Sequence, residues 1–185
     1  MLGRMVTISM VRDDGTLRHF NGYVGEFCLL RADGGFAWYR MVLQPWLAFA
    51  RLRQDNVSFH GQSVMQLTET TFAHYGQRDW QTSIHGDDPQ ITCANQHNET
   101  DYNHLHRRWE ALGWHYWYEH RADGHTLWLA DNSTLADMIA TLSGDGAMRF
   151  HSESSSMEDD GLQQWQAVRR IGSGQLTLAS FAYKN

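Results

Sequence analysis

Between Asn98 and His120 the sequence NETDYNHLHRRWEALGWHYWYEH holds four of the chain's eleven histidines and three of its eight tryptophans. With Cys93 and His97 just before it and His125 just after, the chemistry on offer is imidazole and thiolate ligation, the donor set of a zinc site. The spacing argues against such a site. On a helix His104 and His106 point about 200° apart, and on a strand His115 and His120 face opposite sides. Neither an HExxH nor a paired CxxC motif is present. No metal or other cofactor is therefore expected. Glu110, Glu119 and Asp131 supply carboxylates that could pair in a glycosidase-like cleft, so a carboxylate-based hydrolase is the alternative reading, although nothing in the sequence sets their separation. There is no GxSxG elbow, and neither cysteine lies in a catalytic signature. No catalytic residue is assigned, and the chain is read as not an enzyme.

The elements that would carry these residues follow from hydrophobic period. Thr100 reads as the N-cap of a helix with Tyr102, Leu105, Trp109 and Leu112 on one face and Gly113 as its stop. The period then falls to two, and WHYWYEH and HTLWLADN flank RADG as a hairpin. Trp114, Tyr116, Tyr118 and His120 fall on one face of it, and His115, Trp117 and Glu119 on the other. Large rings on both faces mean packing on both sides, within a core or against a partner, so Trp114, Trp117 and Trp128 are candidate interface residues. An earlier helix is expected from Ser63 to Gly76, opened by a Ser63/Gln66 capping box, with Val64, Leu67, Thr71 and Tyr75 as its stripe. Upstream, RMVTISMV, LRHFNGYVGEFCLL and FAWYRMVLQ read as a curved antiparallel meander turned at DDG and RADGG, with Gly22 and Gly25 marking a bend or bulge. LQQWQAVRRI and QLTLASFAYK read as two final strands. Between them and the hairpin, GDGAMRFHSESSSMEDDG at 144–161 lacks the alternating ligands of an EF-hand loop and is read as a mobile acidic loop.

A chain of 185 residues buries roughly 70% of its unfolded surface, enough for a core without covalent staples. Cys28 and Cys93 are expected to be reduced and unpaired. A formal net charge of −6 and a pI near 5.9 exclude a nucleic-acid partner, which needs concentrated Lys and Arg. No apolar run suggests a signal peptide or a membrane span.

ETDYNHLHRRWEALGWHYWYEH at 99–120 followed by HTLWLADN at 125–132 resembles the VgrG spike proteins of bacterial type VI secretion, whose hub region is similar to the baseplate hub of contractile-tail phages. Glu99, Thr100, Asp101, Tyr102, Arg107, Glu110, Gly113, Tyr116, Tyr118, Glu119, His120, Ala130 and Asp131 fit the family pattern. RHFNGYVGEFCLLRADGGFAWYRMVLQPWL at 18–47 is similar to its preceding barrel strands, and GQLTLASFAYKN at 174–185 to the strand that follows. The pattern departs at His104 and Arg108, where much of the family holds an apolar residue. The resemblance implies an α+β fold, mostly antiparallel β. Residues 1–45 and 162–185 would be hub barrel strands from both chain ends, and 46–143 an inserted lobe of two helices and a hairpin. It implies a structural role as a hub segment, a homotrimer with itself at the tip of the spike. That trimer would cap the Hcp tube and work with effector or adaptor proteins, made in the bacterial cytoplasm and then secreted with the tube into a target cell or the medium. By the same resemblance the chain corresponds to only part of a VgrG. A stand-alone cargo adaptor is the remaining alternative.

Overall fold

The computed structural model describes residues 1–12, 14–137, 146–150, 161–162, 164–175 and 177. The chain divides into two units, Met1–Ala136 and Asp137–Asn185. The first opens with β1 (Met5–Val11), β2 (Leu17–Asp33) and β3 (Phe36–Gln44), an antiparallel meander in that order. Gly34 and Gly35 both take positive φ (56° and 88°), as a tight turn between long strands requires. The β2–β3 register slips between Val24 and Glu26 and again between Leu29 and Arg31, so Gly25 is a bulge as its sequence context suggests. Gly22 serves differently: a Cβ there would lie 2.9 Å from the Gln44 carbonyl oxygen, a close approach only glycine allows. Among the described residues this sheet is open and is not closed into a barrel.

Pro45 ends the meander and starts a 3-10 turn, Trp46–Arg51, that drives Trp46, Leu47 and Ala50 into the core. There follow β4 (Gln54–Gln62), α1 (Val64–Phe72), β5 (Trp80–Ser83), β6 (Ile91–Thr100), α2 (Asp101–Ala111), β7 (His115–Arg121) and β8 (Gly124–Ala130). β4 pairs antiparallel with β6, while β8 lies between β7, antiparallel, and β5, parallel. Both helices and the 3-10 turn meet over a core of Trp46, Leu67, Phe72, Leu105, Trp109, Leu127 and Leu129. The Trp46 and Phe72 rings meet edge to face at 4.8 Å. The Ser63/Gln66 capping box forms as expected, and Asp88 adds a second cap, its carboxylate accepting from the Val64 and Met65 amides at 2.9 Å each. α1 stops at Phe72 rather than running to Gly76, yet Tyr75 stays buried in the turn beyond it.

Three strands were not expected. In β4 and β6 the inward positions include Ala94 and Gln96, so no apolar alternation announces them, and β5 has four residues. Conversely, the strand expected over 162–171 is reduced: Gly161–Leu162 pairs in parallel with Arg149–Phe150, and 164–171 carries no strand and is exposed. That pairing also places three residues of the expected acidic loop in strands, the rest of the loop lying largely outside the described residues. So does the final expected strand, of which only 175 and 177 are described.

Candidate functional site

The junction of β6 and α2 gathers most of the charged residues singled out by sequence. Thr100 is the N-cap, its hydroxyl accepting from the Asn103 amide at 3.2 Å. Asp101 follows as the first helical residue, where a carboxylate suits the positive end of the helix. Its side chain is fully buried and paired at every turn. Arg53 Nη1 donates to both oxygens (2.9 and 2.8 Å), the Tyr75 hydroxyl to Oδ2 (2.6 Å) and Gln96 Nε2 to Oδ1 (2.8 Å). Burial, then the hydrogen bond to this carboxylate, pushes the Tyr75 hydroxyl pKa well up. Two residues earlier Glu99 is only partly buried and pairs with α2 instead. Arg107 Nε lies 3.1 Å from each of its oxygens, and His104 Nδ1 lies 3.0 Å from Oε1. The Arg107 hydrogen bonds, helped by His104 and opposed by partial burial, hold the Glu99 carboxyl down to about 2. His104 is wholly buried and stacks on Phe59 at 5.6 Å. Its Nδ1 lies 3.0 Å from both Glu99 Oε1 and Arg107 Nη2, while Nε2 is buried with no hydrogen-bond partner among the described residues.

Tyr102, on the next face of α2, stacks on His106 at 3.8 Å with the Arg51 guanidinium 4.2 Å over its ring. His106 spends both ring nitrogens at home, Nδ1 on the Tyr102 carbonyl (2.7 Å) and Nε2 on the Tyr116 hydroxyl (3.0 Å). Gly113 has φ +72°, and the helix ends in a Schellman motif, Trp114 N–H donating to the Trp109 carbonyl (2.8 Å) and Gly113 N–H to that of Glu110 (3.1 Å). Trp114 is thereby turned into the core and buried, so this unit offers it to no partner. Trp117 and Trp128 are directly paired across the hairpin, half-buried, with parallel rings 6.1 Å apart. Glu110 and Glu119 are exposed, and Asp131 accepts from the His85 and Gly86 amides at 2.8 and 2.6 Å, pinning the loop after β5. A cleft of about 470 Å³ between the first sheet and β7 is lined by Ile8, Phe20, Met41, Leu43, Tyr118 and His120 among others, with no carboxylate in its wall. Among the described residues no three His, Cys, Asp or Glu side chains converge as a metal site. Cys28 and Cys93 are free thiols.

Residues 1–185 match the phage tail baseplate hub family (GPD). The chain belongs to that family. This hub chain is 24% identical over 184 residues to the type VI secretion system spike protein VgrG1b of Pseudomonas aeruginosa, covering 100% of the chain and 25% of that protein. It is 25% identical to VgrG1a of the same species, covering 100% and 28%, and 29% identical over 135 residues to VgrG3 of Vibrio cholerae, covering 72% and 13%. The hub chain thus spans about a quarter of the length of the first two. Among solved structures, an E. coli type VI secretion component described as similar to the T4 bacteriophage tail proteins gp27 and gp5 superposes with a TM-score of 0.66 at 18% identity, over 82% of this chain and 39% of that one. The shared feature is the fold.

Of the hub residues singled out by sequence, the structure brings Glu99, Thr100, Asp101 and Arg107 into one junction and Tyr102 with Tyr116 into an aromatic edge. It sets His120 and Asp131 apart from both. Arg53 and Gln96, which complete the Asp101 contacts, drew no notice in the sequence, and Tyr75 drew it only as the end of the α1 stripe. His125 drew notice only as a possible ligand, and its ring instead accepts from the Trp46 amide at 3.0 Å.

Proposed function

We propose that this chain is a hub segment of a type VI secretion spike, non-enzymatic, acting within a homotrimer that caps the Hcp tube and leaves the cell with it. The observation that carries the reading is the match to the baseplate hub family from first residue to last, joined to VgrG relatives in two genera. The site chemistry is consistent with it: Glu99, Asp101 and Asp131 spend their carboxylates on internal hydrogen bonds, which suits a scaffold better than a hydrolase. Effector or adaptor proteins are the further partners of this reading, and Trp117 and Trp128 the interface residues it offers. Its domain plan has barrel strands at 1–45 and 162–185 around an inserted lobe. Synthesis in the bacterial cytoplasm and export through the secretion system itself follow from the same reading. Among the described residues no helix is long and apolar enough to cross a membrane. The test is light-scattering mass with and without the Hcp of the same bacterium. A stable complex with Hcp is expected, and unchanged masses in the mixture would remove the tube-capping role.

A further inference from the structure

The sheet β1–β2–β3 contributes one apolar side chain, Val24, to the buried core of residues 1–136, with Tyr23 packed partly against Phe49 and His125. The polar ties to the rest centre on Asn21, itself buried. Asn21 Nδ2 donates to the Arg121 and Gly124 carbonyls at the hairpin turn (2.6 and 2.8 Å), which fixes its amide so that Oδ1 faces two imidazoles. His125 Nδ1 lies 3.2 Å from that oxygen and His120 Nδ1 2.7 Å from it. On the far side of the His125 ring the Trp46 amide donates to Nε2 at 3.0 Å. That contact sets the tautomer: Nε2 is bare, and the proton sits on Nδ1, pointed at Asn21. His120 Nδ1 also lies 3.1 Å from the Asn21 backbone nitrogen, so it can either donate to Oδ1 or accept from the backbone N–H, not both. One knot therefore joins β2, the β7–β8 turn and the start of the 3-10 turn that follows β3.

A second proton on His125 has only Nε2 to occupy, and there it meets the Trp46 N–H head on. A second proton on His120 forces it to donate to Oδ1 and strands the Asn21 backbone N–H. We propose that the Asn21 knot is a proton-operated latch: neutral imidazoles hold β1–β2–β3 on the body, and protonation of His125 releases that sheet while the helices and the β5–β8–β7 sheet stay folded. The groups facing His125 are Tyr23 from β2, Tyr118 and His120 from β7, and the ion pair of Arg121 with Asp79. Asp79 favours its protonation, whereas His120 and Arg121 oppose it, and burial opposes it most, bringing the pKa down to about 4. His120 is lowered by burial and by Arg18. The sign follows: the closed form binds the proton poorly, while the open form, with an ordinary imidazole near 6.5, binds it well. Opening is independent of pH above about 6.5 and grows by up to about tenfold per pH unit as the pH falls toward 4.

Native-state hydrogen exchange on the whole chain, corrected for the intrinsic rate, tests this. Between about pH 7.5 and 5, opening of the Met5–Val11 and Leu17–Gln44 amides should rise at least about tenfold, with α2 and β8 unmoved. No change in the sheet, or an equal rise in α2 and β8, overturns the latch, the second by showing that acid unfolds the body as one piece. Imidazole resonances supply an independent check on the unaltered protein. A His125 midpoint well below 6.5, with the Trp46 amide shifting at the same midpoint, is expected. A His125 midpoint at or above 6.5, or a Trp46 amide indifferent to it, overturns the proposal.

Discussion

Removing the Tyr75 hydroxyl tests whether the junction of β6 and α2 holds this fold together. Tyr75→Phe keeps the ring, which is 7% exposed, and deletes only the 2.6 Å donor to Asp101. Hydrogen bonds to a charged group are worth about 1.5–3 kcal/mol. Asp101 keeps two contacts from Arg53 and one from Gln96, so the loss should fall in the middle of that range, about 2 kcal/mol. Asp101→Ala goes further. It orphans the Tyr75 hydroxyl and leaves the Gln96 amide only the Glu99 carbonyl (3.0 Å), while the Arg53 side chain, 35% exposed, keeps Asp55 and partly regains water. That discount puts the cost near the lower end of the range for breaking a buried pair, about 3 kcal/mol. In the double variant Tyr75→Phe should cost much less than in the parent, because its partner is already gone, giving a coupling of about 1–2 kcal/mol. Urea unfolding of the three variants with unchanged m-values is the assay. Single-variant losses under about 0.5 kcal/mol, or strict additivity, would refute the account of Asp101 as a satisfied buried hub of contacts.

Gly113→Val should cost more than about 1 kcal/mol, all of it from φ +72°, since a Cβ there meets nothing within 4 Å; a neutral denaturant melt would mean the Schellman end relaxes freely. Glu99, lowered from 4.5 to about 2, stabilises the fold fully above about 4.5 and loses that contribution as pH falls toward 2. Glu99→Gln should therefore flatten the urea midpoint across that window, and an unaltered pH profile would contradict the clasp with Arg107. Trp117→Ser, which breaks the parallel stack with Trp128, should reduce self-association in sedimentation velocity, and an unchanged profile would place the associating surface elsewhere.

What was legible in the sequence was whatever repeats with a period or closes with a cap. The meander, the Ser63 box, the Thr100 cap, the Gly113 stop and the β7–β8 hairpin are all local features, fixed within a few residues of themselves. β4 and β6 escaped because their pairing is non-local: Phe59 faces Ala94 and Val57 faces Gln96, about forty residues apart, and neither strand shows its apolar face alone. The same distance hides the site. Glu99, Asp101 and Arg107 are near neighbours and could be noticed together, whereas Arg53, Tyr75 and Asn21 reach their partners across 48, 26 and 99 residues. His104 was readable as a departure from an apolar pattern. That Glu99 meets it in the core was not, because that carboxylate comes from β6, outside the helix.

The first sheet and the body are built on opposite terms, and the contrast bears on assembly. In the body, the buried polar side chains Asp101, Gln96 and His125 make their hydrogen bonds internally. On β2 and β3 the pairs Phe27 with Met41 and Leu29 with Tyr39 share one face of the ribbon and are 40, 39, 55 and 56% exposed. β1 reaches only as far along β2 as Tyr23, so from Gly25 onward the ribbon has two strands. Two strands alone are marginal in water, and an exposed apolar face of this kind suits a contact surface. A packed body beside a sheet whose apolar face is left outside is the division of labour a scaffold segment needs, with the rigid part fixing position and the open part meeting its neighbours.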